Sequence, residues 1–314
     1  MVAPATAARL GADPLAATQP SNLWRDTLAN VFRQRSAVFG MTILVFLVLV
    51  AIFAPLIATH DPNQPLLGIE PGVEKRAAPC IHLLGCPADK PQHLFGTDGN
   101  FRDVFSLVVF GTRVSLTIGL AAITFAIILG TLIGSIAGYI GGWVDNILMR
   151  FMDVILAFPS LLLAIAIVTA LGSWLEKALI AIGIVSVPIY ARIVRSSVIS
   201  AKENDYVTAS RALGESPRGI LFRRILPNSL TPLVVQGTLG IGSAVLEIAA
   251  LTFVGVTGAL ETPEWGSMIG LERGQLFNAP HIILAPGLAI TLTVLAFNLL
   301  GDGLRDALDP RLNR

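Results

Sequence analysis

The 314-residue sequence predicts an all-α polytopic membrane protein with six transmembrane helices, and three observations carry that reading. Apolar residues make up 54% of the chain and charged residues only 14%, where a soluble domain has about a quarter charged. Six apolar runs reach the roughly 17–25 residues that a helix needs to cross a bilayer. They cover residues 37–59, 112–139, 147–171, 178–199, 230–256 and 282–304. Finally, Lys and Arg are unevenly shared among the segments between them, and positive residues collect on the cytosolic side of membrane proteins.

Only Lys75, Arg76, Lys90, Arg102, Arg113, Lys177 and Arg273 fall in segments on one side; the other Lys and Arg fall on the opposite side. This asymmetry places both termini in the cytosol, with a polar insert at residues 202–228. The net charge of +1 gives no basis for nucleic-acid binding, because phosphate backbones require clustered positive charge. The apolar run that begins near Ala37 is too long for a cleavable signal peptide.

Residues 1–36 read as a cytosolic tail, disordered where Ala, Pro and Thr dominate. Within it, residues 21–36 suit either a solvated linker or an amphipathic helix that turns Trp24, Leu28, Val31 and Phe32 toward lipid. The first helix spans 37–59, and an extracytoplasmic loop, 60–111, carries Pro62, Pro65, Pro71, Pro79, Pro87 and Pro91. Its two cysteines, Cys80 and Cys86, suit a disulfide in an oxidising compartment. Free thiols and a metal site with His82 or His93 are the alternatives. A five-helix core, 112–304, follows, and 305–314 forms the cytosolic C-terminus.

Gly130, Gly134 and Gly138 share one face of the second span, the small-residue device for close helix approach in membranes. The partner is another helix of this chain or a second subunit. Pro159 and Pro188 are expected to interrupt spans three and four. Arg150 with Asp153, and Asp302 with Arg305, have the spacing of an ion pair one helical turn apart. In the insert, Asp205 is positioned to cap a helix over 206–213 that ends at Gly214 as its C′ residue. Ser216 caps a second helix with Pro217 at its first position. Pro227 and Pro232 then break the chain ahead of span five.

Glu247 lies inside the fifth apolar run, where a carboxylate costs about 2.5–3.5 kcal/mol and must face protein or water. It marks a translocation path or gate, a hydrogen bond to another helix, or a protonated bystander. No phosphate-binding Gly-Lys-Ser/Thr loop, His-Glu-x-x-His or Gly-x-Ser-x-Gly occurs, so no catalytic residue is assigned. His60, His82, His93 and His281 show no ligand spacing, so no metal site is assigned. The sequence thus shows no engine of its own, and if the chain performs uphill transport the energy comes from an ion gradient or an ATP-hydrolysing partner.

The insert resembles the cytoplasmic coupling loop of bacterial ABC importer permeases, which reads Glu-Ala-Ala, three residues, Gly, then Leu-Pro. Thr208-Ala209-Ser210 replaces Glu-Ala-Ala, while Gly214 and Leu226-Pro227 match. The His93-Leu94-Phe95-Gly96-Thr97-Asp98 stretch, with Arg102-Asp103 and Gly111 to Leu116, resembles the signature of dipeptide, oligopeptide and nickel permeases. Phe101 replaces that family's Gly before Arg-Asp. Gly138 to Asp145, Ala157-Phe158-Pro159, Pro263-Glu264-Trp265-Gly266 and Phe297 to Pro310 match further motifs in order. The resemblance covers about residues 25–314 and is nearest the second permease of the pair, the one with the outer insertion.

What this resemblance implies is a type I (MetI-like) importer permease fold with a cytosolic coupling helix, set in the bacterial inner membrane. Its implied partners are a homologous second permease, two cytosolic ABC ATPases and an extracytoplasmic substrate-binding protein, within membrane lipid. No cofactor is implied for this chain; ATP and Mg belong to the ATPases. Tyr206, Thr208, Ala209, Ser210, Arg211, Leu213, Gly214, Arg218, Leu226 and Pro227 are then the ATPase-coupling residues. Arg211, Arg218, Arg223 and Arg224 pair with acidic residues of the ATPase or simply follow the positive-inside bias. Peptide is the cargo most often implied, with nickel complexes, glutathione and sugars open. The competing readings are an ion-coupled secondary transporter using Glu247 and a non-transporting scaffold.

Overall fold

The computed structural model describes residues 31–172, 174–258 and 262–308. Most of the N-terminal tail, including Trp24 and Leu28, and the last residues of the C-terminal motif lie outside that range. Nine helices carry the argument: α1 (Arg35–Ile52), α2 (Val104–Ile140), α3 (Gly142–Leu156), α4 (Ser160–Leu171), α5 (Leu175–Lys202), α6 (Asp205–Ala212), α7 (Thr231–Val254), α8 (Trp265–Glu272) and α9 (Pro280–Leu308). Isolated bridges pair Cys80 with His93 and Thr97 with Asp103, and there are no strands among the described residues.

Five helices (α1, α2, α5, α7 and α9) are long and apolar enough to cross a membrane. The third apolar run differs from the single span expected. It is two helices, α3 and α4, bent by 93° across Ala157 to Pro159. Proline disfavours helical conformation in the residue before it, so the chain turns at Phe158-Pro159. Pro188 does not interrupt α5, which runs through it unbroken. Pro188 is buried, and packing against neighbours compensates the one backbone bond that the ring removes.

The crossings alternate, so one end of the bundle gathers residues 58–103 and 255–279, and the other gathers 203–230. The centre is built from α2 against α5. A β-carbon on Gly130 would stand 2.9 Å from the Ala191 amide. On Gly134 it would strike the Ala191 carbonyl, and on Gly138 it would stand 2.9 Å from the Arg195 carbonyl. All three glycines therefore face α5 of this chain, and their missing side chains set the helix separation. Ala122, Ala126, Ala181, Ile182, Val194 and Ile248 fill the buried core around this seam. At the periphery, Gly40 meets Ala296 and Leu299 of α9, and Gly303 meets Ala37. Val31 is buried with Ala37 and Ala307, and Phe32 is exposed, so the two do not share a lipid-facing stripe.

The 58–103 segment is held by buried polar contacts. Arg76 Nε donates to Glu272 Oε2 at 2.8 Å, and the Gly99 amide donates to Glu272 Oε1 at 2.7 Å. Arg102 Nε donates to Asp98 Oδ2 at 2.8 Å. Asp103 caps the 37-residue α2 by accepting the Ser106 amide at 2.8 Å, an arrangement favoured by the helix dipole. Burial would push the Asp103 carboxyl up. The bonds from His93, the Ser106 hydroxyl and the Ser106 amide, with the charge of His60 adding to them, outweigh it and hold the group below its usual 3.8. Glu264 is fully buried and caps α8 through the Ser267 amide at 2.9 Å. Trp265 beside it donates Nε1 to the Val108 carbonyl at 3.1 Å, and Gly111 leaves room for its ring.

Candidate functional site

The insert is one compact knob. Leu175–Lys202 ends at Glu203, Asn204 precedes α6, and Asp205 is the first helical residue rather than the cap expected. The Asn204 side chain donates instead to the Ala201 carbonyl at 3.2 Å, so it closes α5. Asp205 still places its negative charge in the first turn, where the dipole favours it.

The far end of α6 is a Schellman turn. Glu215 donates its amide to the Ser210 carbonyl and Gly214 donates to Arg211, both at 3.1 Å. Gly214 adopts φ +76°, a left-handed conformation that glycine reaches without a β-carbon penalty. Ser216 then accepts the Gly219 amide at 3.2 Å with Pro217 at the first helical position. The turn is stitched by Arg224 Nε, which donates to Glu215 Oε2 at 3.1 Å. Arg224 thus has a partner within the knob.

Pro227 does not break the chain. Pro217–Gly219 runs into a π-helix, Ile220–Ile225, and then into Leu226–Asn228. Leu226 donates to the Leu221 carbonyl, the wide spacing by which a π-turn absorbs an extra residue before the proline. The break comes after Asn228, at Ser229 and Leu230, and Pro232 lies in the first turn of α7.

Burial divides the knob into two faces. Val207, Ile220, Leu221 and Ile225 are buried in the permease core and fix the knob to the bundle. The outward face bears Tyr206, Thr208, Ala209, Arg211, Leu213, Gly214, Arg218 and Pro227, with Ser210 and Leu226 half-buried. Leu213 is 88% exposed and Phe222 is 53% exposed. Phe222 was missed because its neighbours Ile220, Leu221 and Ile225 are apolar too, and only packing decides which of the four is left bare. Val207 was missed because it is the single branched aliphatic residue of α6, and one such residue carries no periodicity.

Glu247 is half-buried on α7, and Ser160 donates to its Oε1 at 3.4 Å. Ser160 opens α4 just beyond the bend, so the intramembrane carboxylate and the broken span meet. The Arg150–Asp153 and Asp302–Arg305 pairs expected are not formed. Asp153 instead pairs with Arg192 of α5, and Asp145 with Arg195, whose Nη2 lies 2.6 Å from Asp145 Oδ2. Both pairs tie α3 to α5: Asp145 and Asp153, about two helical turns apart on α3, each meet an arginine of α5. The Cys80 and Cys86 sulfurs are bonded, with Cα atoms 5.5 Å apart. His82 Nε2 contacts the Lys90 carbonyl at 2.8 Å. Phe101 holds φ +59°, a left-handed conformation, at the position where the related signature has Gly.

Residues 130–314 match the family described as Binding-protein-dependent transport system inner membrane component. Residues 22–79 match the N-terminal TM domain of oligopeptide transport permease C. A dipeptide transport system permease protein (DppC) of Alkalihalophilus pseudofirmus is 45% identical over 289 residues, covering 92% of this chain and 90% of that relative. A glutathione transport system permease protein (GsiD) of Escherichia coli is 41% identical over 289 residues, covering 92% and 91%. The same named protein of Shigella boydii has the same identity and coverage. These similarities do not support an ion-coupled carrier working alone. With the bundle, the broken third span and the knob in place, the chain belongs to the family of binding-protein-dependent inner-membrane transport components and is a permease subunit of an ABC importer.

Proposed function

We propose that this permease conducts peptides, or a related small solute such as glutathione, delivered by an extracytoplasmic binding protein. It works as one half of a pathway completed by a homologous second permease. Two cytosolic ATPases, which use ATP and Mg, drive it, and nucleotide is bound by them rather than by this chain. Both termini and the 202–228 knob face the cytosol of the bacterial inner membrane.

The observation that carries this reading is the division of the knob. Four buried aliphatic residues make it rigid with the bundle, while Tyr206, Ala209, Leu213 and Phe222 leave apolar surface for a partner. A rigid element seated in a groove transmits rigid-body motion. An ATPase dimer that closes on nucleotide displaces the knobs, and the displacement reaches the pathway only because the two arrangements differ in nucleotide affinity. The relatives named for dipeptide and glutathione transport support the substrate class.

Reconstituted transporter decides the matter. Ala209→Arg places a long charged side chain on the outward face, and Gly214→Pro demands φ near −65° where the turn needs +76°. Both variants are expected to insert and assemble with the second permease, yet lose uptake of labelled dipeptide. Uptake at the normal rate in both would remove the coupling role. Normal coupling of ATP hydrolysis without dipeptide uptake would remove the substrate assignment.

A further inference from the structure

The end of the bundle that carries the disulfide holds a cluster that the transport reading does not use. His60 follows α1, Glu70 and His93 belong to the loop, and Asp103 caps α2. His60, His93 and Asp103 each bring a potential ligand atom within 4.8 Å of the others. Glu70 Oε2 lies 3.6 Å from His60 Nε2 and 3.4 Å from His93 Nε2. The two imidazole centroids are 5.2 Å apart.

His93 is 1% exposed, and its Nε2 is buried without a hydrogen-bond partner, as is Glu70 Oε2. Buried polar atoms are nearly always satisfied, so two orphans facing each other call for a further occupant. Their spacing suits one. Ligand bonds of about 2.0–2.2 Å in a tetrahedral array put donor atoms roughly 3.3–3.6 Å apart. The remaining nitrogens are already held: His93 Nδ1 contacts Asp103 Oδ1 at 3.0 Å, and His60 Nδ1 contacts Thr59 Oγ1 at 3.0 Å. A carboxylate behind a histidine fixes its ring and raises its basicity toward a metal.

We propose that His60, Glu70 and His93 bind one divalent transition-metal ion of the zinc type, with Asp103 positioning His93. Two imidazoles and one carboxylate are a donor set suited to Zn and its neighbours rather than to Ca or Mg. The ion ties three separate pieces together: the exit of α1, the loop and the start of α2. Its role is to clamp the loop at the mouth of the bundle, beside the Cys80–Cys86 disulfide.

The test uses the assembled transporter, purified after chelation, beside an H60A/E70Q variant. His60 and Glu70 are partly exposed, and these substitutions leave the His93–Asp103–Ser106 contacts in place. Zn2+ is added, excess is removed, and bound metal is counted by mass spectrometry. The wild type is expected to hold one more Zn2+ per copy of this chain than the variant, and Zn2+ is expected to raise its unfolding midpoint but not the variant's. Co2+ in place of Zn2+ should give visible absorption bands of nitrogen ligation in the wild type. Equal metal content in the two proteins, or a Co2+ spectrum of the hydrated ion alone, overturns the proposal. If the variant does not assemble, the wild-type Co2+ spectrum decides by itself.

Discussion

The two ends of the bundle finish their chemistry in opposite ways. At the 58–103 end, buried carboxylates are answered within the chain: Glu272 by the half-buried Arg76, Asp98 by Arg102, and Asp103 by the first turn of α2. At the 203–230 end, the charges are exposed, and large apolar residues such as Leu213 and Phe222 stay uncovered. One end is stabilised from inside and tolerates little change. The other leaves its outward surface free for the partner proposed above, and on that proposal change there costs function before stability. Burial of a polar group costs several kcal/mol unless it is paired, whereas an exposed leucine costs little in the folded chain itself.

The largest effect is expected at Asp103. Asp103→Ala leaves the Ser106 amide, the Ser106 hydroxyl and His93 without their acceptor, at a cost of about 3–5 kcal/mol by analogy with broken buried pairs. Denaturant unfolding of the purified transporter measures it, and a loss under about 1 kcal/mol would erase the contrast between the ends. The same group sets a pH signature. Because its folded pKa is depressed, its stabilisation is fully present above the unfolded value of 3.8 and is lost as pH falls through the folded value. Asp103→Asn should flatten the acid limb of the stability profile.

A smaller loss is expected from removal of the disulfide by paired Cys80→Ser and Cys86→Ser changes. The closed loop is short, with a sequence separation of 6, so the chain-entropy gain is about 2 kcal/mol. Thermal unfolding with and without reductant reads it. Wild-type and variant midpoints that coincide under oxidising conditions would show the buried polar contacts to be sufficient alone. The smallest change in stability is expected at Leu213→Asp, within about 0.5 kcal/mol. Dipeptide uptake by that variant should nevertheless collapse. A destabilised Leu213→Asp protein would mean that the knob's outer face is part of the chain's own core.

Local rules in the sequence found much of this architecture. Gly214, Ser216 and Pro217 were legible as turn and cap residues because their chemistry acts within four or five residues. The Gly130, Gly134 and Gly138 face was legible from spacing, but α5 as its partner was not. Asp205 and Pro227 show how local rules fail. Asn204 took the boundary because α5 and α6 share one junction, and the π-turn absorbed Pro227. Pro188 stayed helical inside a packed pair, while Pro159, in the same kind of apolar run, marks a 93° bend. Glu247 stood out as a lone charge, and its partner Ser160 did not, since nothing in sequence links positions 87 residues apart.

The sequence by itself determined the number and placement of the apolar runs, the knob between two of them, and its turn chemistry. All are set by transfer free energy and short-range backbone preference, which depend on residues near one another in the chain. Only the tertiary structure decided which charges pair, which glycines meet which helix, and which apolar residues of the knob remain bare. Those outcomes depend on long-range contacts such as Arg195 with Asp145 and Arg76 with Glu272, whose partners lie 50 and 196 residues away. At such distances only the packed bundle chooses the partner.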